Sequence, residues 1–435
     1  MNTTAQPEYR SVSLNLFQSA FQVFVRGVLA VSLAALLLWA GRDYRPTETE
    51  VAVASHRFNL LAWEVGNVFD KWYHELVALL PWNSPLPREE RIALAEEFFR
   101  IGEEERRLEG ELLTAGDASP QAAIIRQRLD EIHERLNSIR PIVEQTVERE
   151  ISDVLMAEGF SSRIGAILPP VDTVLGHAPT LLVTSPRDRI FRLENTLLRH
   201  GIRPDDREAL EQLTLDERDL SAIVVNIGGV GTFPSVVSSG SSLHHALTTV
   251  AHEWLHNWFF FHPLGQHFWD SADMTTLNET AATLGGWEVG DRAYEAMTGI
   301  KFERQPPSPP AEQDPNAFDF SAEMRETRLR TAELLAQGRV TDAESYMEER
   351  RLELLEHGYR IRKINQAYFS FYGSYATSAA SISPIEGQLR DLRQRSETLG
   401  EFLNTVAQFS TYEEFLEYLG GESRQDEGKV ISQPG

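Results

Sequence analysis

The stretch Ser221–His256, SAIVVNIGGVGTFPSVVSSGSSLHHALTTVAHEWLH, decides how this chain is read. Its first 31 residues, Ser221–Ala251, contain no Asp, Glu, Lys or Arg in a chain that is 24% charged, which implies burial or a lined cleft. Gly, Ser, Pro and two His interrupt it, so it does not read as a membrane span. The β-branched run Ala222–Ile227 reads as a strand, as does Thr180–Thr184. Thr232–Val237 reads as a third, with Pro234 marking an edge strand. Gly228–Gly231 lacks the Lys-Ser/Thr of a phosphate loop and reads as a turn or edge-strand cluster. A helix is expected at Phe191–His200, and another over Leu243–His256.

That last helix ends in His252-Glu253-Trp254-Leu255-His256, the pattern H-E-x-x-H. Residues four apart on a helix lie one turn apart on nearly the same face. Two such imidazoles can converge on one tetrahedral ion, with Glu253 close enough to serve as a general base without ligating. Six of the twelve histidines fall between His244 and His267. A catalytic zinc needs a third protein ligand. Glu279 lies 23 residues after His256, room for a loop and a returning helix, and the small Ala281, Ala282, Gly285 and Gly286 would let that helix approach closely. His262 competes, although Phe259 stands where the chain would need a glycine to turn it inward; Asp270 and Asp273 are further candidates. Second-shell support is expected from Asp270, Asp273 or Asn278. Tyr372 and Tyr375 are candidate oxyanion donors, as are His245, His262 and His267.

H-E-x-x-H followed by Asn278-Glu279 on a helix resembles the gluzincin branch of the zincin metallopeptidases, over about 222–287. Leu277–Trp287 is also similar in style to bacterial aminopeptidases. The resemblance implies His252, His256 and Glu279 as zinc ligands, Glu253 as base, and an upstream edge strand, here Gly231–Val237, that aligns a peptide substrate. The chain departs from the pattern at Thr283, where many gluzincins carry an acid, and it lacks the G-x-M-E-N motif of one large aminopeptidase family.

Outward from this centre, Phe17–Ala40 carries no charge but Arg26, and as a helix it would span about 36 Å, enough to cross a bilayer. A single-pass anchor is expected, with the catalytic part extracytoplasmic. A cleaved signal peptide is the rival reading, but Leu38 stands where a small residue is required. Residues 50–80 read as an amphipathic helix. Leu94–Leu112 and the heptad seam Ile125, Leu129, Ile132, Leu136, Ile139 and Val143 read as a helical hairpin, kinked at Pro141. The seam packs either on the rest of the chain or on a partner, including a second copy. Helices resume over Ser321–Phe371, broken near Gly338, and over Pro384–Leu419.

The chain has 435 residues, no cysteine and a formal net charge of −24. Thiolate zinc sites, iron–sulfur clusters and disulfides are therefore excluded, and nucleic acid is not an expected partner. The acid excess at 86–158 and 301–358 reads as solvated helix faces. The expected class is α+β and mostly helical, with a zincin-like core, a small mixed sheet, a helical hairpin and an N-terminal membrane anchor. Its expected divisions are an N-terminal cytoplasmic segment (1–16), the anchor (17–41), a hairpin region (50–160), a metal-binding core (161–300), a Pro-rich linker (301–320), a helical subdomain (321–420) and a disordered tail (421–435). The expected function is a zinc (Zn2+) metallopeptidase acting on a peptide or protein substrate. The rival is a non-catalytic, membrane-anchored helical scaffold with a structural or absent metal.

Overall fold

The computed structural model describes residues 45–60, 86–115, 119–162, 165–304 and 318–420, with positions 27, 28, 32, 63 and 71 besides. The expected anchor at 17–41 lies outside these apart from three helical positions, and the tail at 421–435 lies wholly outside. No helix among the described residues is long and apolar enough to cross a membrane. The chain is α+β and mostly helical.

Helices α1 (Glu48–Ala52), α2 (Arg88–Ala115) and α3 (Pro120–Ala157) come first. The helix expected over 50–80 is broken where it is described, after Ala52, and its part at 61–80 lies outside the described residues apart from positions 63 and 71. The chain leaves α1 at Val53, makes one 3-10 turn, and pairs Arg57 with Leu198 as an isolated bridge. Helices α2 and α3 form the expected hairpin. Ser119 caps α3, its hydroxyl accepting from Ala122 N, and Pro120 takes the first turn, where its missing N–H costs nothing. The helix runs on through Pro141 to Ala157. All six seam residues are buried, packed with Phe98, Ile101 and Leu108 of α2.

The hairpin acids are not all solvated, contrary to the reading from composition. Glu105, Glu144, Glu148 and Glu150 are buried. Glu150 holds Arg88 through two nitrogens at 2.6 and 3.0 Å. Glu144 and Glu148 reach a strand, as described next.

Among the described residues, six strands make two three-stranded sheets. Strands β1 (Thr173–Gly176), β6 (Ser235–Ser238) and β5 (Gly229–Val230) form one, ordered β1-β6-β5, with β1 parallel and β5 antiparallel to β6. Strands β2 (Thr180–Pro186), β3 (Glu194–Leu198) and β4 (Leu220–Asn226) form the other, ordered β3-β2-β4 and antiparallel throughout. Two expectations change here. Residues 191–200 contain strand β3, because Leu197 and Thr196 pair with Leu181 and Leu182 across the hairpin; the helix of this region is α4 (Pro204–Arg218). The run carrying Pro234 supplies β6, the middle strand, with Pro234 just before it; the edges are β1 and β5.

The edges of these sheets are treated differently. At β1, Glu148 Oε1 accepts from Thr173 N at 2.9 Å and Glu144 Oε1 from Leu175 N at 2.8 Å. Alternate N–H groups of an edge strand point outward, so these two carboxylates close the edge. Lys71, beside them, pairs with Glu148 and Asp172. At β4, Glu211 Oε1 accepts from Val224 N at 2.7 Å and is itself paired with Arg362 and Lys363. Among the described residues no such carboxylate covers β5, and residues 228–231 line a cleft.

Helices α5 (Leu243–Phe259), α6 (Pro263–Gln266) and α7 (Ala272–Thr298) follow the sheets. Then come α8 (Phe320–Ala336), α9 (Val340–Glu356), α10 (Gln366–Tyr372), α11 (Ile385–Arg395) and α12 (Leu399–Val406). The largest core joins α2, α3, α5, α7, α11 and α12. Residues of the β3-β2-β4 sheet alternate between two smaller cores, as a pleated strand requires. Leu182 and Val224 pack with Leu210 of α4, whereas Leu181, Val183, Ile223 and Val225 pack with Ala367 and Phe371 of α10. A cleft of about 730 Å³ is thereby bounded by α5, α7, β5, this second sheet and the chain following α10.

Candidate metal centre

Helix α5 begins at Ser242, whose hydroxyl accepts from His245 N, and carries His252, Glu253 and His256 on an unbroken stretch. The two imidazole Nε2 atoms are 3.0 Å apart and their planes are at 85°. Helix α7 lies against it and brings in Glu279, whose Oε2 is 3.7 Å from His252 Nε2 and 3.4 Å from His256 Nε2. The close approach rests on small residues. A Cβ at Gly286 would stand 2.9 Å from the backbone N of His252 and 3.0 Å from its Cα, atoms that cannot move aside.

The three separations of 3.0, 3.4 and 3.7 Å can be tested against an ion. A tetrahedral zinc with bonds of about 2.0–2.1 Å needs ligand atoms about 3.3 Å apart. The triangle fits. Glu279 Oε2 is also buried with no hydrogen-bond partner, an orphan acceptor aimed at two imidazole nitrogens. Two other His/Glu groups occur among the described residues, Glu109-His177-His200 and Glu105-Glu109-His133. In the first, the imidazoles stack 4.0 Å apart at 12°, so their in-plane lone pairs do not meet at one point. In the second, His133 Nε2 and Glu105 Oε1 already satisfy each other at 2.8 Å.

Asn278, of the three candidates for orienting a ligand histidine, is the one in place. Its Oδ1 accepts from His256 Nδ1 at 3.0 Å, which orients the ring with Nε2 towards Glu279, and its own amide donates to the Leu264 carbonyl at 3.3 Å. His256 and Glu279 sustain each other's charge. Burial opposes charge on His256, but the Glu279 carboxylate prevails and lifts the imidazole to about 9. Burial would raise Glu279, but His256 beside it pulls the carboxyl far below its ordinary range. Glu253 is different: burial dominates and pushes it up, with the two histidines opposing weakly. A raised carboxyl suits a group that must take and return a proton.

The Glu253 carboxylate packs on bare backbone. A Cβ at Gly229 would lie 2.7 Å from its Oε1 and 2.8 Å from the Val236 carbonyl, and one at Gly231 would lie 3.2 Å from Oε2. The glycine cluster is thus the part of the β5 edge that faces the base.

The two candidate tyrosines part company. Both line the cleft, but Tyr372 leans on Tyr368, ring centroids 4.6 Å apart, and its nearest charge is Arg362. Tyr375 faces the centre: burial, then the Glu279 carboxylate, keeps its hydroxyl protonated well beyond the ordinary range. The chain there is tied to α7 by Thr280 Oγ1, which accepts from Ala376 N at 3.0 Å. His262 is turned away, its Nδ1 bonded to the Trp258 carbonyl and its ring 4.0 Å from the Trp258 ring. His267 bonds Asp270 at 2.6 Å and both are solvent-accessible, and Asp273 begins α7. None of the four joins the two histidines. His245 lines the cleft.

Sequence reasoning missed much of the cleft lining. Arg192, Asn195, Phe260, Trp269 and Trp287 all line the cleft. The exposed Phe260 and Trp269 had one signal, their closeness to the His-rich stretch; Arg192 had none, lying in a segment read as helix. No protein-family model, no curated protein and no solved structure matches the chain.

Proposed function

We propose that this chain is a zinc-dependent peptidase of the gluzincin type, with His252, His256 and Glu279 as ligands and Glu253 as general base. The observation that carries the reading is the convergence of these three side chains at separations that suit one tetrahedral ion, with a fourth, non-ligating carboxylate beside them. Zinc held there supplies a Lewis acid that polarises the scissile carbonyl and acidifies a water.

The chain's own groups do the rest. The open β5 edge beside Glu253 accepts an extended peptide as an added strand and presents its backbone to the centre. Glu253 takes the proton of the attacking water at a carboxylate oxygen and passes it to the leaving amine nitrogen. The Tyr375 hydroxyl, kept protonated by its surroundings, donates to the oxyanion. The segment 17–41 is read as the anchor that tethers this machinery to a membrane with the cleft extracytoplasmic.

Metal analysis and peptide hydrolysis test the reading together. The purified protein should carry about one zinc per chain at this centre, lost in His252→Ala. Glu253→Gln should keep the metal and lose about 10²–10⁴-fold in hydrolysis. Undiminished hydrolysis in Glu253→Gln, or zinc retained at full stoichiometry in His252→Ala, would sink it.

A further inference from the structure

Arg192 is the one Lys or Arg among the described residues that line the cleft, whose carboxylates are Glu253 and Glu279. It sits in the β2–β3 connection, where the other arginines are paired with acids. Arg187 is held by Glu344 and Asp219, and Arg189 lies 3.6 Å from Asp188. Among the described residues no carboxylate pairs with Arg192, in a chain with 65 acids to 41 bases. Its Nε donates to Asn195 Oδ1 at 2.9 Å, and its guanidinium carbon lies 5.1 Å from the centroid of the Phe371 ring. Its Nη1 is buried with no hydrogen-bond partner. A guanidinium fixed on two sides and left short of acceptors is organised for a planar, bidentate anion, and a buried N–H without a partner is costly until one arrives.

We propose that Arg192 is a substrate-selecting subsite that takes a carboxylate of the bound peptide, either an acidic side chain or the free C-terminus. This rests on the peptidase reading above and adds the substrate class: peptides carrying a carboxylate that reaches the wall opposite the metal helix. The cleft favours such a ligand on charge grounds only at this point, because its remaining formal charges are negative or belong to the metal centre. The Phe371 face and Asn195 hold the fork before the ligand arrives, so little side-chain freedom is lost on binding.

Direct binding separates this proposal from the reading it rests on. Fluorescently labelled peptides from a position-scanned set are titrated against the full-length protein in three matched forms: Gln-containing with an amidated end, Glu-containing with an amidated end, and Gln-containing with a free C-terminal acid. At least one acid form should bind about 10–100-fold tighter than the neutral amide, the gain expected of a charge-assisted Arg–carboxylate contact. Which form gains identifies the source of the carboxylate. Arg192→Gln should erase the gain and leave the neutral amide unchanged, and Arg192→Lys should restore part of it.

Equal binding of all three forms by the natural protein overturns the proposal. So does an Arg192→Gln variant that weakens neutral and acid forms alike, which is what a purely packing role against Phe371 would give. Should Arg192→Gln fail to fold, the natural protein and Arg192→Lys still decide, since a subsite requires selection in the first and a smaller selection in the second. Cleavage followed by mass spectrometry runs beside the titration. Selection without cleavage removes the peptidase reading and keeps the carboxylate subsite; cleavage without selection does the reverse.

Discussion

The two edges of the β1-β6-β5 sheet have opposite fates. At β1 the outward N–H groups of Thr173 and Leu175 are taken by Glu148 and Glu144 from α3, and Lys71 and Asp172 complete a buried charge network. At β5 the edge is two glycines and a valine facing a cleft, with a buried carboxylate against them. Unpaired strand edges invite association, and folded proteins usually cover them. One edge of this sheet is sealed with charged side chains taken from a distant hairpin. The other is left bare, and it is the one beside the metal centre. That asymmetry argues that the bare edge has a partner of its own, an extended peptide.

The comparison can be broken from either side. The largest effect should come from filling the bare edge. Gly229→Ala places a methyl within 3 Å of both Glu253 and the Val236 carbonyl. With the base displaced, hydrolysis should fall about 10²–10⁴-fold while zinc content holds. Activity per bound zinc within a few-fold of the natural protein would show that the glycine is not needed there. Next is the sealed edge. Glu148→Leu leaves Thr173 N without its acceptor and removes a buried acid partner of Lys71, so unfolding in denaturant should lose about 3–5 kcal/mol. Turnover per folded molecule should stay unchanged. Glu144→Leu orphans Leu175 N while the Lys71 pairs with Glu148 and Asp172 stay in place, and it should cost about 1–3 kcal/mol in the same measurement. The smallest effect belongs to the ligand: N-methylation of the substrate amide that pairs with β5 should raise KM about 2–10-fold, one lost backbone hydrogen bond. A scan of N-methylated peptides with no sensitive position would remove the added-strand picture.

The sequence disclosed the centre far better than its surroundings. His252, Glu253 and His256 follow from spacing on one helix, and Glu279 from small residues that permit a second helix to approach. These are local patterns, and Gly286 against His252 realises them. Strand β3 was hidden because Phe191–His200 has apolar residues at spacings a helix also allows; pairing with β2 decides, and that is non-local. The edge strand was misplaced for a related reason. Pro234 carries a strong local signal, but which strand lies outermost depends on where β1 arrives, some 60 residues earlier. Glu144 and Glu148 were indistinguishable from any solvated i,i+4 acids until β1 was laid against them. Arg192 is the extreme case, meaningful only because a distant Phe371 and an acid-free wall surround it.

The bare glycines also bear on how kindred sequences are to be recognised in genome collections. From Gly229 to Glu279 the functional groups fall in the contiguous pattern G-x-G-x20-H-E-x-x-H-x21-N-E. The zinc pentapeptide alone recurs by chance; the paired glycines give a filter that is steric and not merely statistical. A chain that keeps the pentapeptide but carries side chains at both glycine positions would be sorted as a metal holder with no room for the base, and set apart from true counterparts before any protein is made.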